Sequence, residues 1–248
     1  MAAPGVVRGQ VSDDFSGSDL ISADWGWQDP VGDSGWETSN GLLYLTLPAG
    51  SEHHLGEGIN RTARLVQDIS EADFEIEAKF QSLPAEDFQV QGLLVETDPS
   101  HYLHLDVRRA GPSLKVACAT VTGGVTKIRG ETDFAGTGPV WLRLSRQGDE
   151  WRGSVSEDGA AWNEILLFTH VLDAVRVGVF AGNAGRGGDE DSDRDRDDPV
   201  GDKNAGRGPA PATEVVVDYF FETAAPIDPE DGDIRNGGRV IDGLLALY

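Results

Sequence analysis

The chain is poor in the residues that staple a fold, span a bilayer or grip a polyanion. It has one cysteine, Cys118, so no disulfide can close within it and its core must hold by packing alone. Lys and Arg number 20 against 43 Asp and Glu, a net charge of −23. No basic cluster exists to neutralise phosphates, which argues against nucleic acid and against anionic membrane surfaces as partners. No apolar run approaches the roughly 20 residues of a membrane helix, so no membrane insertion is expected. Met1-Ala2-Ala3-Pro4 lacks the basic start and apolar core of a secretory signal. Long amphipathic helical patterns are missing too. So are a serine-nucleophile elbow, a phosphate-binding loop, a Cys/His metal ladder and a dinucleotide fingerprint.

What the chain does have is alternation. In 73–80, Phe74, Ile76, Ala78 and Phe80 alternate with Asp73, Glu75, Glu77 and Lys79. A run from Gly92 to Val95 turns at Thr97-Asp98-Pro99-Ser100 and returns with Leu103, Leu105 and Val107 opposite Tyr102, His104 and Asp106. A period of two with one apolar face predicts strands with one side on a core and the other exposed. The same pattern recurs in 41–50, 63–70, 113–121, 125–131, 140–147, 175–183 and 214–223, with Gly, Asp and Pro turns between. Cys118 shares a face with Leu114 and Val116, which reads as a small buried hydrophobe. The fold class is all-β, a two-sheet antiparallel β-sandwich.

Residues 1–10 read as a disordered lead-in and 11–223 as the sandwich. Within it, 185–212 is acidic, low in complexity and rich in Gly and Pro, a disordered insert between the last two strands. Residues 224–248 form a tail outside the sandwich.

The ordered motifs DDFSG (13–17), WGWQDP (25–30), NGLLYLTLP (40–48), DFEIEAKF (73–80), QGLLVETDPSHYLHLDV (91–107), VWLRLSRQGDEW (140–151), SEDGAAW (156–162), VRVGVFAGN (175–183) and VDYFFE (217–222) resemble a known group. They are similar to the concanavalin A-like lectin/glucanase sandwich family, seen in DUF1349 domains and in C-terminal modules of family 43 glycoside hydrolases. The resemblance implies a jelly roll of two packed sheets, one of them concave. It also implies a non-catalytic carbohydrate-binding or accessory module of a larger chain, in an extracellular or periplasmic setting.

Sugar recognition requires flat apolar faces for a pyranose ring and planar polar groups for its hydroxyls. Trp27 and Trp36 stand near loops, and Tyr44, Arg64, Gln91, Tyr102, His104 and Asp106 are the expected polar-face partners. Taken singly, each Trp reads first as packing, and Trp162 as the cover of an Asp-Gly hairpin turn. The loop Glu52-His53-His54-Leu55-Gly56-Glu57 reads as lining the concave face, since adjacent histidines on an extended chain point apart and do not share a zinc ion. A structural calcium is expected at Asp13, Asp14 and Asp218 if the terminal strands pair. The aspartates of 189–198 fail the EF-hand pattern. Asp231, Asp233 and Asp242 resemble half of a dockerin repeat only faintly. Two other readings stay open. One is a jelly-roll glycoside hydrolase using Glu71, Asp73 or Glu75; the other is an adhesion domain whose sheet binds a protein.

Overall fold

The computed structural model describes residues 10–16, 25–56, 58, 60–69, 73–185 and 209–227. Residues 186–208 of the acidic insert, residues 228–248 of the C-terminal tail and Glu71 lie outside the described residues.

Among the described residues, fourteen strands form two seven-stranded antiparallel sheets. The first sheet runs, edge to edge, β1 (Trp25–Gln28), β4 (Ala63–Asp68), β13 (Arg176–Gly182), β6 (Val90–Asp98), β7 (His101–Ala110), β8 (Ser113–Thr122) and β9 (Val125–Phe134). The second runs β12 (Asn163–Thr169), β11 (Glu150–Ser156), β10 (Val140–Gln147), β5 (Phe74–Phe80), β14 (Thr213–Glu222), β3 (Leu42–Leu47) and β2 (Gly35–Ser39).

The core lies between them and is built from the alternating apolar faces. Phe74, Ile76, Ala78 and Phe80 of β5 meet Leu103, Leu105 and Val107 of β7 and Val116 and Cys118 of β8 in one buried cluster. Cys118 is fully buried and burial pushes its thiol pKa far up, so it is an inert packing residue. The segment around Trp25, Trp27 and Trp36 is more regular than loops, for it supplies the edge strands β1 and β2. Trp25 is locked by Asp13, whose Oδ2 accepts its indole N–H at 2.9 Å, and packs edge-on against Phe220.

Two departures from simple alternation shape the faces. In β14 the register shifts between Val217 and Tyr219. That bulge reverses the parity of the strand, so Phe220 joins the core while Tyr219 and Phe221 stack with ring centroids 4.0 Å apart. The second departure concerns β7. Its outward face was expected to be exposed, yet Tyr102, His104 and Asp106 are buried. The described residues of the loop between β3 and β4 fold back over this side of the sheet, Gly56 meeting Tyr102 and Leu55 packing on the cluster around it. Backbone bonds tie it down, His53 to Asn183 in both directions at 3.0 Å and Asn60 N–H to the Pro99 carbonyl at 2.8 Å. Under it lies a small second core of Val66, Leu94, Tyr102, Val121 and Phe180.

The strands beneath approach too closely for side chains at two points. A Cβ on Gly178 would stand 2.0 Å from the Leu65 carbonyl oxygen, and one on Gly92 would stand 2.2 Å from that of Leu105. Both obstacles are backbone, which cannot swing aside. Gly178→Ala should therefore destabilise the fold by about 1–3 kcal/mol, the range for overpacking, read as a lowered denaturation midpoint with unchanged slope.

Candidate functional site

Next to the covering loop the first sheet's outer face opens into a cavity of about 440 Å³. Its existence follows from residue size. In register, His104 of β7 faces Ala119 of β8 and Asp106 faces Ala117. Ala119 in turn faces Ile128 of β9. Two alanines between larger neighbours leave a trough over β8. One wall is His54, Leu55 and Gly56 from the covering loop; the other is the turn carrying Phe88.

Phe88 is held in an uncommon conformation, with φ of 71°, which is costly for a bulky side chain. Gln89 fixes the turn around it, accepting N–H bonds from Ala85 and Glu86 and donating to the Ala212 carbonyl at 2.8 Å. The ring is left 39 % exposed and Ile128, across the trough, 57 % exposed. Two apolar surfaces thus flank a polar floor.

The floor is a charge relay along one face of β7. Asp106 has no solvent contact; its Oδ2 lies 2.6 Å from His104 Nδ1 and accepts Arg108 Nη2–H at 2.7 Å, while its Oδ1 accepts Arg108 Nε–H at 2.7 Å. Burial works to raise the Asp106 pKa. The Arg108 guanidinium and the His104 bond outweigh it and hold the carboxyl below the usual aspartate range. The same pairing raises Arg108.

Further along this face Arg64 and Arg176 converge on the buried Glu96. Arg64 Nε–H donates to Oε1 at 3.4 Å and lies 3.3 Å from Oε2, and Arg176 Nε is 3.0 Å from Oε1, the last two contacts being ion pairs not aligned as hydrogen bonds. Arg64 also donates to the Gln28 amide oxygen at 2.7 Å. Tyr102 accepts the Gly56 N–H at 3.0 Å and so anchors the covering loop.

The expected ligand residues therefore separate. Arg64, Tyr102, His104 and Asp106 share one face, but of these only His104 lines the cavity. Gln91 points to the other side of its strand, where it bonds Ser82. Trp27 packs on the core, Trp36 sits on the edge of the second sheet, and Tyr44 lies on that sheet in register with Glu37 and Val216. Phe88, Arg108, Ala119 and Ile128 were not foreseen. The legible signals were an aromatic in the polar turn 84–89, and Arg108 two residues beyond Asp106 on the same face.

The calcium expectation meets a geometry that does not suit it. Asp13 does pair with β14, through Phe220, but its carboxylate accepts the Phe15 N–H and the Trp25 indole N–H. Asp14 accepts from Ser16, and Asp218 from Gln81 with the Lys79 ammonium 2.6 Å away. A cation would have to displace Lys79 to reach Asp218, so these three residues do not form an oxygen cage. Among the described residues, Asp29, Asp33 and His53 form the one group of three whose carboxylate and imidazole atoms all lie within 4.8 Å of one another. The strand carboxylates of the hydrolase reading are also engaged. Asp73 accepts the Gly148 N–H, Glu75 the Thr223 hydroxyl, and Arg143 stands 3.7 Å from Glu75.

A sandwich of two seven-stranded sheets with its cavity on one outer face belongs to the concanavalin A-like class. Within that class the chain belongs to the beta xylosidase C-terminal concanavalin A-like domain family, whose model matches residues 12–184. Among solved structures it is similar to the family 43 glycoside hydrolase BlXynB from Bacillus licheniformis, with 18% identity and a TM-score of 0.60, covering 84% of this chain and 38% of that one. It is also similar to a xylan beta-1,4-xylosidase from Bacillus halodurans C-125, with 16% identity and a TM-score of 0.56, covering 89% of this chain and 40% of that one. The chain thus spans about two fifths of the length of these enzymes. A protein of unknown function from Saccharomyces cerevisiae is matched over 98% of its own length and 83% of this chain, with 15% identity and a TM-score of 0.57. No match was found among curated proteins.

Asp106→Asn should cost about 3 kcal/mol, because it strips the counter-charge from a partly buried guanidinium. A carboxyl whose folded pKa is depressed stabilises fully above its unfolded value and loses that contribution as pH falls through the folded one. The gap between wild type and variant in urea unfolding should hence narrow only below the ordinary aspartate value of 3.8.

Proposed function

We propose that the chain is a non-catalytic accessory module that binds a glycan in the cavity between Phe88 and Ile128. The observation that supports this most is the pairing of exposed apolar surfaces with a fixed polar floor inside one trough, the combination that a pyranose's C–H faces and hydroxyls require. Membership of a family of xylosidase C-terminal domains agrees with it. So does the length of the two Bacillus enzymes, of which such a sandwich accounts for about two fifths. The acidic composition suits an extracellular or periplasmic setting.

The test is a titration of the ¹⁵N-labelled protein with neutral oligosaccharides, followed by analysis of the sugars for cleavage. Binding should move the amides of Phe88, Ala119 and Ile128 and leave the sugar intact. Ala119→Leu fills the trough and should abolish binding while the protein stays folded. Phe88→Ala should weaken it by about 1 kcal/mol, roughly fivefold. Trp36→Ala, on the other sheet, should change nothing. Cleavage of the sugar would turn attention to Asp73 and Glu75. No binding of any sugar, with association to a protein instead, would favour the adhesion reading.

A further inference from the structure

The relay on β7 has one nitrogen left over. His104 is 2 % exposed, and its Nδ1 is committed to Asp106. Among the described residues nothing bonds its other nitrogen, Nε2, and the ring lines the cavity. A carboxylate can only accept, so the bond to Asp106 requires the proton to sit on Nδ1. With that one proton on the ring, Nε2 is a bare lone pair, an acceptor, on a residue that lines the cavity.

Arg108 complements it. The guanidinium carries five N–H groups, and the bonds to Asp106 use one on Nε and one on Nη2. The remaining three have no acceptor among the described residues, and the side chain is 31 % exposed at the cavity. The imidazole Nδ1 and the guanidinium Nη2 both close on the same Asp106 oxygen, at 2.6 and 2.7 Å. The two bonded nitrogens therefore stand no further apart than those bonds laid end to end. Nε2 lies across the imidazole from Nδ1, so this acceptor and the unused Arg108 N–H groups flank the same carboxylate at one cavity.

Two adjacent hydroxyls of a sugar match that arrangement. One donates its proton to Nε2 and the other accepts an N–H from Arg108, with the C–H faces of the ring between Phe88 and Ile128. Charge decides between ligand classes. The Arg108 cation is already matched by the Asp106 anion, which removes the attraction that a uronate carboxylate would need. We propose that His104 and Arg108 read the vicinal hydroxyls of a neutral glycan, with Asp106 as the positioning residue that sets the His104 tautomer. This rests on the cavity being the glycan site proposed above.

Long-range ¹H–¹⁵N spectra of the imidazoles, recorded with and without xylotetraose, test the two statements separately. Free protein should show His104 protonated on Nδ1 with Nε2 bare, and xylotetraose should shift the Nε2 signal towards its hydrogen-bonded value. His104→Gln and Arg108→Gln should each weaken binding at least tenfold while Ala119 still responds at high sugar. Tetragalacturonate should bind no more tightly than xylotetraose. A proton found on Nε2 in the free protein overturns the tautomer assignment. Sugar-induced shifts at Phe88 and Ala119 with an unmoved Nε2 overturn the hydroxyl reading but leave the cavity as the glycan site. A preference for tetragalacturonate overturns the neutral class. If none of a panel of neutral and acidic oligosaccharides perturbs the cavity, both readings fall.

Discussion

Asp106 carries a negative charge with no water around it, and much of the first sheet is arranged to make that tolerable. The cost of burying an isolated carboxylate is prohibitive. Here a guanidinium grips both of its oxygens and an imidazole adds a third bond, while Gly92 on the neighbouring strand leaves the space that this packing requires. The alanines on the far side then leave a void beside the relay. The cavity is accordingly a by-product of a buried charge and small neighbours, and it inherits fixed polar groups from that charge.

The covering loop works on the same principle. It turns what would be a solvated sheet face into a second, smaller core, with Glu96 flanked by Arg64 and Arg176 and with Tyr102 bonded to Gly56. His53, itself buried, stitches the loop to Asn183 and reaches Asp33, which joins three distant stretches of chain. The second sheet is organised differently. Its outer face keeps Glu77 between Arg143 and the Tyr219 hydroxyl, with Arg143 3.8 Å above the Trp162 ring. Its charged and aromatic residues are spent on one another. The two sheets thus share a core and divide their roles, one presenting a trough and the other a self-paired surface.

The strands of the central core were legible because burial on one face enforces a strict period of two, as in 73–80 and 102–108. The resemblance to concanavalin A-like modules was legible for the same reason, since ordered strand motifs carry it. Reading failed where a residue's neighbours along the chain do not reveal its neighbours in space. Trp27 and Trp36 were both candidates for the glycan site from their place near one run of loops, but they stand in different sheets. Gln91 looked like a polar-face residue, but it turns inward to Ser82. The bulge at Asp218 exchanged the faces of Tyr219 and Phe220 without any sign in the pattern.

By itself, the sequence determined an all-β sandwich, a disulfide-free core with Cys118 inside it, and a surface that repels polyanions, since composition and alternation suffice for each. Only the tertiary structure decided that the outer face of β7 is covered, that His104 has a single nitrogen free, and that Phe88 and Ile128 line one cavity. Those facts depend on strand register and on a loop bonded over the sheet. Register sets which side chains meet, and no local pattern encodes it.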